Sequence, residues 1–198
     1  MRRYAIDVVI LPPKPIMDLA ITWNKRLSVI AEQSIVLDKA LTLPHISLLM
    51  GCVSEDGLKK AMELLVRFTS QQSAIPLEIT GLQFTAGSHP VAALDIALTR
   101  SLAEFQERLI ETLQPVITHD ARDTDLFDPP PIAASVLDWI NNFIPQQSGS
   151  QFWPHITLGH GRPDEQQPAL EFEANRIAMC HLGNHCTCRR VLTEALLR

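Results

Sequence analysis

This sequence of 198 residues has little cysteine, no long apolar run and no excess of positive charge. Its four cysteines are too few and too unevenly spaced for a disulfide-rich scaffold, so we expect reduced thiols. No apolar run is long enough to cross a bilayer, and Asp7 interrupts the apolar stretch near the N-terminus. We therefore expect a cytoplasmic protein that has no membrane partner.

Negative charge exceeds positive charge, with 22 Asp+Glu against 17 Lys+Arg and a formal net charge of -5. A protein that grips a long duplex through many phosphates usually needs a basic face. The balance therefore favours a small phosphate ligand, or one RNA end, over an extended nucleic-acid duplex. Arginines can still gather locally in the folded chain, and the candidates are Arg2, Arg3, Arg162, Arg176, Arg189 and Arg190.

Apolar spacing predicts strands and helices in an order that favours an α+β fold. β-Branched residues over 4–11 predict a strand, and helical spacing follows over 16–30. Further helices are predicted after the N-cap candidates Ser54 and Thr99, and over 132–143 with an end at Pro145. Further strands are predicted over 35–38, 43–50, 77–84, 91–98, 152–159, 171–182 and 185–193. Because the elements lack a strict strand–helix–strand rhythm, we expect antiparallel sheets.

Two short segments of the chain repeat each other. Residues 44–48 are Pro-His-Ile-Ser-Leu and residues 154–158 are Pro-His-Ile-Thr-Leu, so only an exchange of Ser for Thr separates them. A second pair of segments, 5–10 and 93–98, shares an Ala-x-Asp pattern and precedes the first pair in each half. Repeated order at two places indicates a duplicated unit, in which each of two lobes contributes one motif.

Alternation of side chains along a strand gives each motif a chemical face. His45 and Ser47 point to one side of their strand, and His155 and Thr157 do the same in theirs. If the two lobes face each other, two imidazoles and two hydroxyls converge on one cleft. Histidines can act as base and acid near neutral pH, and hydroxyls can hold phosphate oxygens. This set of groups suits hydrolysis of a cyclic phosphodiester and requires no metal or other cofactor.

The two motifs resemble the paired His-x-Ser/Thr-hydrophobic signature of the two-histidine (2H) phosphoesterase superfamily. Within it, the chain is most similar to the bacterial RNA 2′,3′-cyclic phosphodiesterases historically called 2′-5′ RNA ligases. Residues 76–84, the strand at 91–98 and closing strands around 177–192 extend the resemblance over nearly the full chain. The resemblance implies one bilobal domain over 1–198, in which helices flank two pseudo-symmetric antiparallel sheets with a cleft between the lobes.

The resemblance also implies an activity and residue roles. The expected reaction opens 2′,3′-cyclic phosphates, on RNA ends or small cyclic nucleotides, to 2′-phosphates, and can include 2′-5′ ligation in reverse. By motif match, His45 and His155 are the catalytic acid–base pair, and Ser47 and Thr157 bind the phosphate. Which histidine is the base depends on how the substrate lies. Many relatives carry an aromatic in the late strands where this chain has cysteines, so the resemblance does not choose among these substrates.

Three further residues are candidates for supporting roles. Trp153 lies two residues before His155, so in an unbroken strand a nucleobase could stack on it beside that histidine; a core position is the alternative. Asp7 and Asp95 lie mid-strand among apolar neighbours. Each carboxylate could orient an imidazole or could be an ordinary solvated residue of the cleft.

Two other functions compete with a cyclic phosphodiesterase. The first is a binding module that holds a nucleotide or RNA end without turnover, and the two intact motifs argue against it. The second is a metal-dependent hydrolase that uses histidines and cysteines near the C-terminus, although their spacing matches no standard zinc pattern. Those residues are Cys180, His181, His185, Cys186 and Cys188.

Overall fold

The computed structural model describes residues 2–198, which form eight strands in two four-stranded antiparallel sheets. The strands are β1 (Arg3–Leu11), β2 (Ile46–Ser54), β3 (Ile75–Phe84), β4 (Val91–Ile96), β5 (His155–His160), β6 (Leu170–Ala174), β7 (Arg176–Leu182) and β8 (Cys188–Leu196). The first sheet has the order β2-β1-β7-β8, and the second has the order β5-β4-β3-β6. The first sheet thus combines the first two strands with the last two, and the predicted α+β fold with two antiparallel sheets is confirmed.

Helices flank both sheets. They are α1 (Lys14–Ile30), α2 (Glu55–Thr69), α3 (Arg100–Leu113), α4 (Ala134–Asn141) and α5 (Phe143–Gln147). The two predicted N-caps are confirmed, since Ser54 Oγ accepts from Gly57 N at 3.1 Å and Thr99 Oγ1 accepts from Leu102 N at 3.2 Å. Each such cap stabilises its helix by about 1 kcal/mol. No helix among residues 2–198 is long and apolar enough to cross a membrane.

One large hydrophobic core connects α1, α2 and α3 with strands of both sheets. The apolar residues of the two motifs, Ile46, Leu48, Ile156 and Leu158, are fully buried in it. Burial of each such side chain contributes about 1.5–3 kcal/mol to folding. The motif histidines and hydroxyl residues alternate with these anchors and remain partly exposed, as strand alternation predicts.

Three local predictions are wrong. The single strand predicted over 171–182 is two strands, β6 and β7, which belong to different sheets. Residues 35–38 form no strand, because the Asn24 side chain takes the place of a partner strand: its Nδ2 donates to Ile35 O at 2.8 Å and its Oδ1 accepts from Leu37 N at 3.0 Å. The apolar alternation there reflects burial of Ile35 and Leu37. Pro145 does not end a helix but lies in the first turn of α5, where the missing N–H of proline is tolerated.

The segment that contains α4 and α5 forms a smaller cluster against the first sheet. Val136, Ile140 and Phe143 pack on Met50 of β2 and Leu182 of β7. This cluster covers the end of the sheet next to the first motif. It thereby supplies an apolar wall to the cleft described below.

Candidate active site

Both motif histidines are held by the same local hydrogen bond. His45 Nδ1 lies 2.7 Å from Leu43 O, and His155 Nδ1 lies 2.8 Å from Trp153 O. A carbonyl oxygen only accepts, so Nδ1 carries the proton in each ring and Nε2 of the neutral ring has a free lone pair. In both motifs the accepting carbonyl belongs to the residue before the proline. The Pro-His order therefore sets the imidazole orientation without help from another strand.

The two motif strands also share a β-bulge at the same position. Val8 and Val9 of β1 pair with Leu49 and Ser47, so Leu48 is the extra residue in β2. Ala92 and Ala93 of β4 pair with Gly159 and Thr157, so Leu158 is the extra residue in β5. A bulge of this kind bends its strand and fixes the pairing register. Residues 44–48 and 154–158 therefore repeat each other in backbone structure as well as in amino-acid sequence.

The second sequence repeat does not mark equivalent positions. Because Val9 and Ala93 pair with the two motif hydroxyl residues, Asp7 corresponds to Val91, and Asp95 corresponds to Leu11. The Ala-x-Asp segments are thus displaced by four residues from structural equivalence. Register follows the bulges and the buried faces of the strands, and a short pattern shared by two strands does not constrain it. The two aspartates consequently have different surroundings.

His45, Ser47, His155 and Thr157 line one cleft, whose volume is about 290 Å³. The expected convergence of two imidazoles and two hydroxyls is therefore present in the structure. Much of the cleft wall is apolar, and among residues 2–198 no Lys or Arg lines it. The apolar part includes Ile35, Leu37, Met50, Val91, Val136, Trp139 and Phe143.

Asp7 is fully buried beneath the first motif, so it is not a solvated residue of the cleft. Its Oδ2 accepts a hydrogen bond from Ser47 Oγ at 2.6 Å, and its Oδ1 has no partner among residues 2–198. His45 Nε2 lies 3.7 Å from Asp7 Oδ2, beyond hydrogen-bond distance. Asp7 therefore contacts the motif hydroxyl, whereas the imidazole is oriented by a backbone carbonyl. Burial raises the pKa of Asp7 well above its usual range, although the Ser47 hydroxyl partly opposes this shift.

Asp95 supports the second motif through Trp153. Trp153 Nε1 donates to Asp95 Oδ1 at 2.7 Å, and Thr80 Oγ1 donates to Asp95 Oδ2. The Trp153 ring stacks on the His155 ring, with 4.0 Å between centroids and 22° between planes. Trp153 thus lies on the same face as His155, as expected for an unbroken strand. In this structure its ring stacks on the His155 ring.

The surroundings of the two histidines give them different proton affinities. Burial is the main cause that lowers the pKa of His45 to about 4; the bond to Leu43 O partly opposes this shift, and the neighbouring His155 adds to it. Burial also lowers the pKa of His155, but Asp95 opposes that shift electrostatically. Both rings are therefore neutral at pH 7, and a proton that enters the pair favours His155.

The histidines and cysteines near the C-terminus do not assemble into the metal site that the competing hypothesis requires. His181 Nε2 bonds to Asp125 O at 2.9 Å, and its ring packs edge-on against Tyr4 and Phe127. Among residues 2–198, the one group that brings three potential ligand atoms within 4.8 Å is Asp7, His45 and Cys188. Of the five residues of the competing hypothesis, only Cys188 belongs to that group.

Some features of the site were missed by the sequence analysis. The carbonyl acceptors at Leu43 and Trp153 were missed, although the proline between each of them and its histidine was visible. Asn24 was missed as well; its Nδ2 also donates to Leu158 O at 2.6 Å and so ties α1 to the second motif strand. No local signal identifies such a long-range bond, because a buried Asn in a helix has the same spacing as its apolar neighbours.

Two antiparallel sheets that each present a His-x-Ser/Thr motif to one cleft define the two-histidine phosphoesterase class. The family model of the 2′-5′ RNA ligase superfamily matches residues 38–178, and the chain belongs to this superfamily. Membership supports a phosphodiesterase-type function. A comparison with curated protein sequences gives no match.

Solved structures share the whole fold at low sequence identity. TT0787 of Thermus thermophilus is 16% identical over 98% of each chain, with a TM-score of 0.66. E. coli LigT in its apo form is 15% identical over 100% of this chain and 99% of its own, with a TM-score of 0.58. LigT with 3′-AMP is 14% identical over 99% of each chain, with a TM-score of 0.55. These likenesses show a common fold along essentially the full length of both chains.

Proposed function

We propose that this protein is a metal-independent phosphodiesterase that opens 2′,3′-cyclic phosphates to 2′-phosphates, with His45 and His155 as its catalytic residues. The observation that carries the proposal is the matched pair of imidazoles, each fixed through Nδ1 and each free at Nε2, which face one cleft. A base and an acid on opposite sides of a phosphorus atom are what in-line hydrolysis of a cyclic diester needs.

The different proton affinities of the histidines suggest which one is the base and which one is the acid. His45, the ring with the pKa of about 4, fits the base that takes a proton from water as its oxygen bonds to phosphorus. His155, next to Asp95, fits the acid that protonates the ribose O3′ as the P–O3′ bond breaks. The product keeps the phosphate on O2′. When a 5′-hydroxyl replaces water as the nucleophile, the same groups in the same roles catalyse 2′-5′ ligation: His45 takes the proton from the 5′-hydroxyl and His155 protonates O3′ as the P–O3′ bond breaks.

Ser47 and Thr157 fit the role of donors to the non-bridging oxygens of the phosphate. In the structure Ser47 Oγ donates to Asp7 Oδ2. Burial raises the pKa of Asp7 and so favours its protonated form, which can donate to Ser47 Oγ instead and leave the Ser47 hydroxyl hydrogen for the substrate. Charge on these oxygens grows toward the transition state, where such donors act most strongly. LigT, which has the same fold, has been crystallised with 3′-AMP, with ATP and with NADP+, which supports a nucleotide as the ligand of the cleft.

The test is incubation of the purified protein, with EDTA present, with nucleoside 2′,3′-cyclic phosphates and with a short RNA that ends in a cyclic phosphate. Chromatography that separates 2′- from 3′-phosphates identifies the product. We expect only 2′-phosphates, at a rate that EDTA does not change. A protein carrying His45→Asn and His155→Asn together controls for contaminating nucleases.

A 3′-phosphate product would contradict the assigned geometry, since it requires the P–O2′ bond to break. Tight binding of the cyclic nucleotide with no product would instead support the binding module. Loss of activity in EDTA that added metal restores would support the metal-dependent alternative.

A further inference from the structure

A basic groove lies next to the catalytic cleft. Its volume is about 640 Å³, against about 290 Å³ for the cleft. We call it the basic groove because its lining includes five cationic residues: Lys14, Lys39, Arg176, Arg189 and Arg190. Three of the six arginines that the sequence analysis named thus gather at one place, although they come from two strands and the lysines come from α1 and the following loop.

The other three arginines lie elsewhere. Arg2 lies over the Tyr4 ring at 5.1 Å, Arg3 pairs with Asp120 at 2.6 Å, and Arg162 lies over the Phe84 ring at 5.0 Å. The basic groove is therefore a specific gathering of cations within a chain whose net charge is -5.

The groove and the cleft share one face of the first sheet. Leu11, which lines the groove, lies on the same side of β1 as Asp7 beneath the first motif, because side chains two or four residues apart in a strand share a face. Between the two cavities runs the loop that ends at β2: its Thr42 lines the cleft and its Leu43 lines the groove. Leu43 is also the residue whose carbonyl holds His45. A ligand that crosses this loop therefore passes directly from one cavity to the other.

The groove carries more positive charge than its own carboxylates neutralise. Lys39 pairs with Asp18, Arg176 with Glu194 and Arg189 with Asp128. Lys14 and Arg190 are exposed and form no ion pair with any part of the chain over residues 2–198. Two cations thus remain for an anionic ligand.

The groove also contains an exposed aromatic ring. Phe127 lines it with 42% of its surface exposed, and the Arg189 guanidinium lies 5.8 Å from the ring centroid. Grooves that bind single-stranded nucleic acid combine cations along the backbone with aromatic rings on which bases stack. The catalytic cleft, in contrast, is lined by no Lys or Arg among residues 2–198, and its basic side chains there are the histidines His45, His155, His160 and His185.

We propose that the basic groove binds the backbone phosphates upstream of the reacting cyclic phosphate, so that this protein prefers the 3′ end of a single-stranded RNA several nucleotides long to a mononucleotide. This inference rests on the proposed function and adds that oligonucleotide ends react with a higher kcat/KM than mononucleotides. The terminal cyclic phosphate occupies the neutral cleft, and the preceding backbone crosses the loop at Thr42 into the groove. Net acidity of the chain does not oppose this arrangement, because phosphate contacts act locally at physiological salt.

The test compares kcat/KM for a mononucleoside 2′,3′-cyclic phosphate and for a hexanucleotide that ends in the same group. The variant carries Lys14→Glu and Arg190→Glu, and the charge-matched control carries Lys59→Glu and Arg67→Glu, both exposed on α2 and outside the groove. We expect the wild-type protein to prefer the hexanucleotide by about tenfold or more, and the groove variant to lose that preference without losing activity on the mononucleotide. The salt dependence of hexanucleotide cleavage should fall by about 0.7 in log–log slope for each phosphate that the groove no longer binds.

Several outcomes overturn the inference while cyclic phosphodiesterase activity stands. One is equal wild-type kcat/KM for both substrates, and another is an equal loss on both in the groove variant. A third is a higher kcat/KM for a mononucleotide that carries a 5′-triphosphate, together with no higher kcat/KM for the hexanucleotide. That result would assign the groove to free nucleotides and overturn the RNA assignment.

If no cyclic phosphate is turned over, the proposed function fails, and the groove is tested by binding alone. The probe is a fluorescent RNA hexanucleotide with a terminal 2′-phosphate. About tenfold weaker binding by the groove variant than by the control variant supports the RNA-end assignment, and equal binding overturns it.

Discussion

The two halves of the cleft share a five-residue pattern and differ in almost everything that surrounds it. Each imidazole is fixed by the carbonyl two residues earlier, at 2.7 Å for His45 and 2.8 Å for His155. Beyond that bond the halves diverge. His45 lies beside the fully buried Asp7 carboxyl, which contacts Ser47. His155 stacks on Trp153, and the charge of Asp95 raises its pKa.

This difference shows how one duplicated motif can supply two unlike catalytic groups. The shared carbonyl bond gives both rings the same tautomer and the same free nitrogen. The unshared neighbours then set the proton affinity, which lies lower at His45 through burial and is partly restored at His155 by Asp95. Such an inequality suits acid–base catalysis, because it biases which of the two rings carries the proton.

The largest expected effect is on turnover, and it tests whether both halves act in the reaction. His45→Asn and His155→Asn should each reduce kcat/KM for a 2′,3′-cyclic nucleotide by about 10²–10⁴-fold, because each removes a proton-transfer group. The matched control is His89→Asn, at an exposed loop residue, which should leave the rate unchanged. Wild-type turnover in either motif variant would exclude that histidine from the acid–base pair.

The next effect concerns stability and the low pKa of His45. In the unfolded chain, His45 becomes protonated below the ordinary histidine pKa of about 6.5. In the folded chain it stays neutral until about pH 4, so the unfolded state binds more protons between these pH values. Stability should therefore fall as the pH decreases from about 6.5 to about 4. The loss specific to His45 is on the order of 3 kcal/mol, since one pKa unit corresponds to about 1.4 kcal/mol.

Urea unfolding of the wild-type protein and of His45→Asn, at several pH values across this range, measures that loss. The variant keeps an amide donor for Leu43 O and should lose less stability on acidification. Parallel curves for the two proteins would show that His45 titrates normally in the folded chain.

The third effect contrasts the two hydroxyls. Ser47→Ala leaves the buried Asp7 carboxyl without its partner, so it should lower the free energy of unfolding by about 1–3 kcal/mol. Thr157→Val should change it by about 0.5 kcal/mol or less, because the Thr157 hydroxyl bonds to no side chain or backbone group of residues 2–198. Equal losses in urea unfolding would mean that the Asp7–Ser47 bond contributes nothing to stability. Both variants should nevertheless lower kcat.

The smallest effect concerns the role of Asp95. Asp95→Asn removes the negative charge that raises the pKa of His155, so that pKa should fall further. If His155 is the acid, the alkaline limb of the pH profile of kcat/KM should move to lower pH by about one unit or less. Asp164→Asn, at an exposed residue, is the control and should leave the profile unchanged. A shift of the acidic limb instead would exchange the roles of the two histidines.

Local patterns predicted most of the secondary structure and the chemical faces of both motif strands. Ser54 and Thr99 cap their helices as expected, and Ile46 and Ile156 point into the core opposite the catalytic side chains. Such features depend on residues within a few positions of each other, so a single sequence contains them. Residues 35–38 were mispredicted because the deciding partner, Asn24, lies on a helix and not in a strand.

The predicted equivalence of Asp7 and Asp95 failed for a related reason. Both lie mid-strand in an Ala-x-Asp segment, yet the bulges at Leu48 and Leu158 set a register in which they differ by four residues. Alternation alone cannot detect this displacement, since a shift of four residues keeps every side chain on its face.

Local sequence is sufficient to place each motif histidine and hydroxyl on one strand face, because alternation and the carbonyl before each proline involve only neighbouring residues. Tertiary structure brings the two faces to one cleft and gives His45 and His155 unlike partners. It also gathers Lys14, Arg176 and Arg190 beside that cleft from distant parts of the chain. Proton affinity and local charge depend on burial and on contacts between remote strands, and those quantities exist only once the chain has folded.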